Sequence, residues 1–417
     1  MNRPARIFIS VAEDSADTHA ASLIRAARER LGDCDFYGLT GPRMRAAGAD
    51  TVFDMTAHAA MLAGVLAVAG KAWQALAAVK RSWRERRPDL VVLLDSPELH
   101  LRLARRARRL GIPVLYYIAP QTWASREGRN RRIARDVDRL ACILPFEEAY
   151  FRAAGVRATF VGHPLFESLA RERPSEQAVA RLRAGAGPLI ALLPGSRKHV
   201  VQTMLPLQLD VVRRLRAAGV AARVAVSAVS QERAADITRI VNDGLRDGFS
   251  RAAPPETVVP ESVVPDPANP RPSSIELVVA DNASLLTAAD LVLVASGTAT
   301  LHVAHYRKPM IVLYDAGRLL ALPHRLLSRY VVRTPHLALV NILAGRRVAP
   351  EFMPFVSDPA PIAQVAARLL ADESWRRLMV RQLDALVAPL ERSQASAHVC
   401  RLIAELLDGA QRAQARG

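Results

Sequence analysis

Lysine is nearly missing from this chain: only Lys71, Lys80, Lys198 and Lys308 stand among 57 basic residues, and the rest are arginines. The formal charge of +17 is therefore an arginine charge. Such a skew fits the codon bias of a GC-rich genome as well as it fits an anion-binding face. Aromatics supply 5% of the residues, so the cores must be built mostly from Ala, Val and Leu. The three cysteines, Cys34, Cys142 and Cys400, lie far apart and without metal-ligand spacing. They fit a reducing cytoplasm, and Cys142, inside an apolar run, reads as a core thiol. Neither a Walker A motif nor GxGxxG occurs, which removes support for ATP hydrolysis and hydride transfer. The basic runs 102–109 and 126–135 carry no interleaved aromatics, and no zinc, RRM or KH pattern is present, so nucleic acid is not an expected partner. The N-terminus runs straight into Ile7-Phe8-Ile9, too short an apolar run for a signal peptide. The one membrane-like stretch, 57–79, is Ala-rich and interrupted by Lys71 and Gln74. A spanning helix needs roughly 20 strongly apolar residues. The expectation is one or two helices, buried or lying on a membrane surface.

At 417 residues and 50% hydrophobic content, the chain can form two domains with sizeable cores. Continuous apolar runs at 6–11, 90–95, 113–118, 140–144 and 159–161 read as strands buried on both faces. Runs at 189–193, 222–226, 275–279, 291–295 and 310–314 read the same way. Helical patterns alternate with them, which implies parallel sheets with right-handed crossovers. The fold class is α/β, two Rossmann-like domains facing a cleft, with C-terminal helices. The expected division is 1–168, then 186–346, then helices over 347–417, with an inter-domain link near 168–187. Seven prolines crowd 250–274, which reads as an exposed insertion in the second domain.

Ligands of such sheets bind beyond the carboxyl ends of the strands, so the residues there matter most. After the first strand come Glu13, Asp14, Ser15 and Asp17. Ser15 or Asp14 can cap a helix, and the remaining acids exceed what a cap needs. Asp95 ends a buried run and is followed by Ser96-Pro97-Glu98. It reads equally as a general base or as a helix N-cap ahead of Pro97. Pro194-Gly195-Ser196-Arg197 offers close backbone approach, free N–H groups and a guanidinium fork, the parts of a diphosphate cradle. Ser296-Gly297-Thr298-Ala299-Thr300 offers a second small-residue turn at a helix start. His163, in Gly162-His163-Pro164, reads as an acid–base group or as a structural histidine.

Taken in order, GLTGPRM (38–44), DSPE (95–98), YIAPQTW (117–123), Pro145-Phe146-Glu147, VGHP (161–164), LLPGSR (192–197), SGTATL (296–301), NILAG (341–345) and Pro350-Glu351 resemble the bacterial lipid-A-disaccharide synthase family. The resemblance implies the two-domain GT-B fold. It implies transfer of 2,3-diacylglucosamine from its UDP derivative to 2,3-diacylglucosamine 1-phosphate, giving a β-1,6 disaccharide and UDP. It further implies inversion at the anomeric carbon and no metal or other cofactor. The expected setting is the inner face of the cytoplasmic membrane, an anionic surface, and the expected assembly is a homodimer exchanging C-terminal helices. Carried over, Asp95 is the base, and Glu13 and Asp17 are the other catalytic residues. Gly195, Ser196, Arg197, Ser296, Gly297, Thr298, His302 and Asn341 take the nucleotide. The chain departs from the family at Ala12, Ala16 and Ala20, which replace glycines, and at Ser125, Val200 and Pro354. The segment Met61-Leu62 to Val65-Leu66 also differs. His302 stands where the family has a Glu, the residue that grips the ribose in related enzymes. These changes keep open a paralogue that binds without turnover, or another UDP-sugar enzyme such as an epimerase.

Overall fold

The computed structural model describes residues 3–54, 65–247, 275–315, 336–356 and 358–414. The proline-rich segment 250–274 and most of the altered segment 61–66 lie outside the described residues.

The chain divides into two compact units, Met1–Glu167 with Val331–Arg333 and Leu390–Gly417, and Ser168–Tyr330 with Thr334–Pro389. The first unit runs β1 (Ala5–Ser10), α1 (Asp14–Leu31), β2 (Cys34–Thr40), α2 (Pro42–Ala46), β3 (Asp50–Asp54), α3 (Val65–Glu85), β4 (Leu90–Leu94), α4 (Pro97–Arg109), β5 (Val114–Tyr117), α5 (Asn130–Asp136), β6 (Arg139–Cys142), α6 (Pro145–Ala153), β7 (Ala158–Phe160) and α7 (Pro164–Leu169). The second unit runs α8 (Glu176–Arg183), β8 (Leu189–Leu193), α9 (Lys198–Ala217), β9 (Arg223–Ala228), α10 (Gln231–Asp247), β10 (Ile275–Val279), α11 (Asn282–Ala288), β11 (Leu291–Ala295), α12 (Ala299–His305), β12 (Met310–Leu313), α13 (Leu339–Ala344), β13 (Glu351–Phe352), α14 (Ala360–Ala371) and α15 (Glu373–Glu391). A last helix, α16 (Ala395–Gln414), completes the first unit.

The first sheet has the order β3-β2-β1-β4-β5-β6-β7 and the second β10-β9-β8-β11-β12-β13, every pairing parallel. Strand order reverses between β1 and β4 in one sheet and between β8 and β11 in the other. Those reversals are the topological switch points at which doubly wound sheets bind ligands.

Both faces of the first sheet are covered, which explains why its strands read as unbroken apolar runs. Ile7, Ile9, Leu90, Val92 and Leu94 face one core with Ala20, Leu23 and Ile24 of α1 and Val399, Leu402 and Ile403 of α16. Phe8, Val91 and Leu93 face the other with Val79 and Trp83 of α3 and Leu103 of α4. The helix α16 is seated by Glu167, whose carboxylate accepts from the Ser396 amide at 2.7 Å and the Ser396 hydroxyl at 2.6 Å. The C-terminal segment expected as one body thus divides: α14 packs on α9 in the second unit, and α16 packs on α1 in the first. The expected link 168–187 also carries structure, since α8 lies within it, capped where Ser175 Oγ accepts from the Ala178 amide.

Among the described residues no helix is long and apolar enough to cross a membrane. All three cysteines are buried and free, and burial pushes the Cys142 thiol up in pKa.

Candidate active site

The loop after β4 is built under tension. Asp95 and Ser96 both take positive φ, 56° and 46°, in the left-handed region. Such conformations cost non-glycine residues about 1–3 kcal/mol each, so neighbouring groups must enforce them. The Asp95 carbonyl accepts from the Tyr116 hydroxyl and, at 2.6 Å, from His100 Nδ1. Asp95 itself is half-buried. It therefore stands at the β1/β4 switch point, not as the N-cap of α4, which is Ser96.

Across that switch point, Ser10 pairs with Leu93, so the segment after β1 emerges beside the Asp95 turn. Glu13 is exposed there, at the N-cap of α1. Asp17 has a different task from the catalytic one expected. Its carboxylate is fully buried and accepts from the amides of Arg43 at 2.8 Å and Met44 at 3.0 Å. It caps α2, whose own N-cap, Gly41, has no side chain to offer. The methyls of Ala16 and Ala20, in place of glycines, are buried in the core under α1.

The YIAPQTW and Pro-Phe-Glu segments, distant in sequence, meet after β5 and β6. Trp123 Nε1 donates to Glu147 Oε1 at 3.0 Å, and its ring lies edge-on to Phe146 at 5.1 Å. Glu147 Oε2 accepts from the amides of Ile143 and Leu144. Burial pushes the Glu147 carboxyl up to about 7, against the pull of these hydrogen bonds. His163 is buried, and burial lowers its pKa to about 3. Its Nδ1 accepts from the Leu165 amide at 3.2 Å, and its Nε2 is buried without a hydrogen-bond partner among the described residues.

In the second unit, Val294 of β11 pairs with Leu193 of β8, so Gly195 and Ser296 leave the sheet at the same level. Gly195 has φ 111°, and an added Cβ would lie 2.8 Å from Val200 Cγ1. Gly297 has φ 138°, and an added Cβ would meet nothing within 4 Å. Ser196 and Arg197 are exposed, Arg197 at the N-cap of the twenty-residue α9. Thr298 holds the N-cap position of α12, and the Thr300 hydroxyl bonds back to the Gly297 carbonyl at 2.8 Å. The geometry is that of two adjacent turns, one of them at the positive end of a long helix, suited to an anion.

His302, on α12, lies 3.2 Å from Glu172 Oε2, and the Tyr306 hydroxyl donates to the same oxygen at 3.4 Å. A carboxylate from the segment before α8 thus reaches the position where the sequence lacks one. Asn341 is a correction to the expected nucleotide set. It is fully buried, its Oδ1 accepts from the amides of Val348 and Ala349, and its Nδ2 donates to the Ala349 carbonyl and Glu351 Oε2. Every bond it can make is spent on closing the NILAG turn. Among the described residues no group of three or more His, Cys, Asp or Glu side chains is placed to hold a metal ion.

Sequence reasoning passed over His100, Tyr116 and Glu172. A histidine among the leucines of α4 was the only visible sign of the first; Glu172, in a polar linker, gave none.

Two parallel doubly wound sheets, each with its candidate residues at the switch point, give the architecture of the GT-B fold. The fold is shared with the kitacinnamycin glycotransferase, at a TM-score of 0.59 and 15% identity over 97% of this chain and 100% of that one. The family profile described as lipid-A-disaccharide synthetase matches residues 7–247 and 269–402. The chain is 33% identical over 412 residues to a lipid-A-disaccharide synthase of Myxococcus xanthus (strain DK1622), covering 98% of this chain and 99% of the relative. It is 35% identical over 386 residues to one of Anaeromyxobacter dehalogenans (strain 2CP-C), covering 92% and 93%. The chain belongs to the lipid-A-disaccharide synthase family.

Proposed function

We propose that this chain transfers 2,3-diacylglucosamine from its UDP derivative to the 6-hydroxyl of 2,3-diacylglucosamine 1-phosphate. The observation that carries the donor half is the pair of glycine turns leaving β8 and β11 at one level, with Arg197 at the start of α9. These hold the UDP diphosphate, with Ser196, Ser296 and Thr298 offering hydroxyl and amide donors. Glu172, held by His302 and Tyr306, replaces the missing glutamate as acceptor for the ribose hydroxyls.

Asp95 takes the proton of the acceptor hydroxyl as its oxygen attacks the anomeric carbon. The bond from that carbon to the UDP oxygen breaks on the opposite side, so the configuration inverts and UDP departs with the electron pair. Glu13, at the same switch point, orients the acceptor. The acyl chains call for a lipid surface. Support for docking there comes from α3, where Ala75, Val79 and Trp83 are buried while Trp73 is 73% exposed and Lys80, Arg81 and Arg84 face outward. We place the protein on the cytoplasmic side of the inner membrane, acting as a homodimer.

Calorimetric titration with UDP tests the donor site. Wild type binds, and Arg197→Ala weakens binding about tenfold or more, the worth of a charge-assisted hydrogen bond. Equal UDP affinity in the two proteins would remove Arg197 and its turn from the site.

A further inference from the structure

We infer that Ser10 and His100 form a hydrogen-bond relay that positions Asp95, and that His100 acts in one fixed tautomer to do so. The inference rests on the reading of Asp95 as the base.

His100 lies on α4 with no exposed surface, and both ring nitrogens are engaged. Nδ1 faces the Asp95 carbonyl at 2.6 Å, and Nε2 faces the Ser10 hydroxyl at 2.8 Å. A carbonyl oxygen only accepts, so Nδ1 must carry the hydrogen. Burial holds the ring neutral, its pKa lowered to about 4, so Nε2 carries none and accepts from Ser10. The direction of the whole chain is thereby set: Ser10 Oγ–H to Nε2, Nδ1–H to the Asp95 carbonyl. Ser10 is itself fully buried at the end of β1, the strand paired with β4. The Tyr116 hydroxyl donates to the same carbonyl from β5, and its ring stands edge-on to the imidazole. The carbonyl is thus gripped from two neighbouring elements.

The relay explains how two successive non-glycine residues keep positive φ at the tip of a buried strand. Turning the peptide to relieve Asp95 would swing its carbonyl away from both donors and leave a buried imidazole N–H unpaired. The backbone is therefore fixed, and the carboxylate projects from a fixed Cα. Neither Ser10 nor His100 touches the substrate in this scheme; both are positioning residues.

Steady-state transfer from UDP-2,3-diacylglucosamine, measured beside UDP affinity and melting temperature, tests this in Asp95→Asn, His100→Ala, His100→Asn and Ser10→Ala. In His100→Ala, kcat falls about a hundredfold, the scale of a small misplacement of a reacting group. Donor KM and UDP affinity stay within about twofold, because uniform binding is untouched. In His100→Asn much of the rate returns, since the amide Nδ2–H stands where Nδ1–H does and donates to the Asp95 carbonyl, although the Ser10 contact made by Nε2, one bond farther out, is lost. Ser10→Ala removes the donor to Nε2 while the Asp95 carbonyl still holds the hydrogen on Nδ1, so the imidazole ¹⁵N spectrum keeps the Nδ1–H form, the Nε2 signal shifts as its hydrogen bond is lost, and kcat falls. A collapse in Asp95→Asn with wild-type rates in His100→Ala and Ser10→Ala overturns the relay alone. A wild-type spectrum of the Nε2–H form overturns it independently of any activity. Wild-type turnover in Asp95→Asn overturns the reading of Asp95 as the base, and the relay's purpose with it.

Discussion

Glu147 shows how a single buried group ties two segments together. It is 1% exposed and receives Trp123 Nε1 and two backbone amides. Its pKa of about 7 lies above the ordinary 4.5, so its contribution to stability is fully present below about 4.5 and is lost as pH rises through about 7. The same ionisation changes the partner of the Trp123 indole. The fluorescence difference between wild type and Glu147→Gln should therefore titrate with a midpoint of about 7. A difference that stays flat from about pH 5 to pH 9 contradicts this placement of the carboxyl. At this scale the sequence was only partly legible. Asp17 and Asn341 sit in family motifs, and a polar residue near a strand end reads alike whether it meets a ligand or a backbone amide. Their buried, saturated hydrogen bonds decide for the backbone.

Among elements, the turn from β8 to α9 carries the most specific demand. Gly195 combines φ 111° with Val200 Cγ1 only 2.8 Å from where a methyl would stand. The left-handed strain alone costs an L-residue about 1–3 kcal/mol. Gly195→Ala should weaken UDP binding about tenfold or more by titration, a loss on the order of 1.4 kcal/mol. The double variant Gly195→Ala, Val200→Ala removes the crowding but keeps the φ, so affinity should not return. Full recovery in the double variant would assign the effect to Val200 instead. The buried strands β1, β4 to β6, β8, β9, β11 and β12 were legible because both faces are covered, giving unbroken apolar runs, and the edge strands β7 and β10, only partly buried, were read from short apolar runs. β2 was not, because Asp35 and Gly38 interrupt it, and β3 was not, because it is a polar edge strand, Asp50–Asp54. β13 is two residues long and leaves no periodicity to read.

For the molecule as a whole, the order of motifs along the chain carried more than any one of them. Their departures look different in three dimensions: Ala16 and Ala20 fill a core, and His302 stands against a carboxylate from elsewhere. What the sequence could not reveal was which side chain answers which, because Glu172 and His302 are 130 residues apart. The central claim is that Asp95 is the base of an acceptor-dependent glycosyl transfer. UDP release from UDP-2,3-diacylglucosamine, with and without 2,3-diacylglucosamine 1-phosphate, tests it in wild type and Asp95→Asn. Asparagine tolerates the left-handed turn, so the variant changes the carboxylate and little else. Acceptor-dependent release that falls about 10²–10⁴-fold in Asp95→Asn, with UDP affinity unchanged, is the expected result. Release that ignores the acceptor, or that proceeds in Asp95→Asn at the wild-type rate, would contradict it.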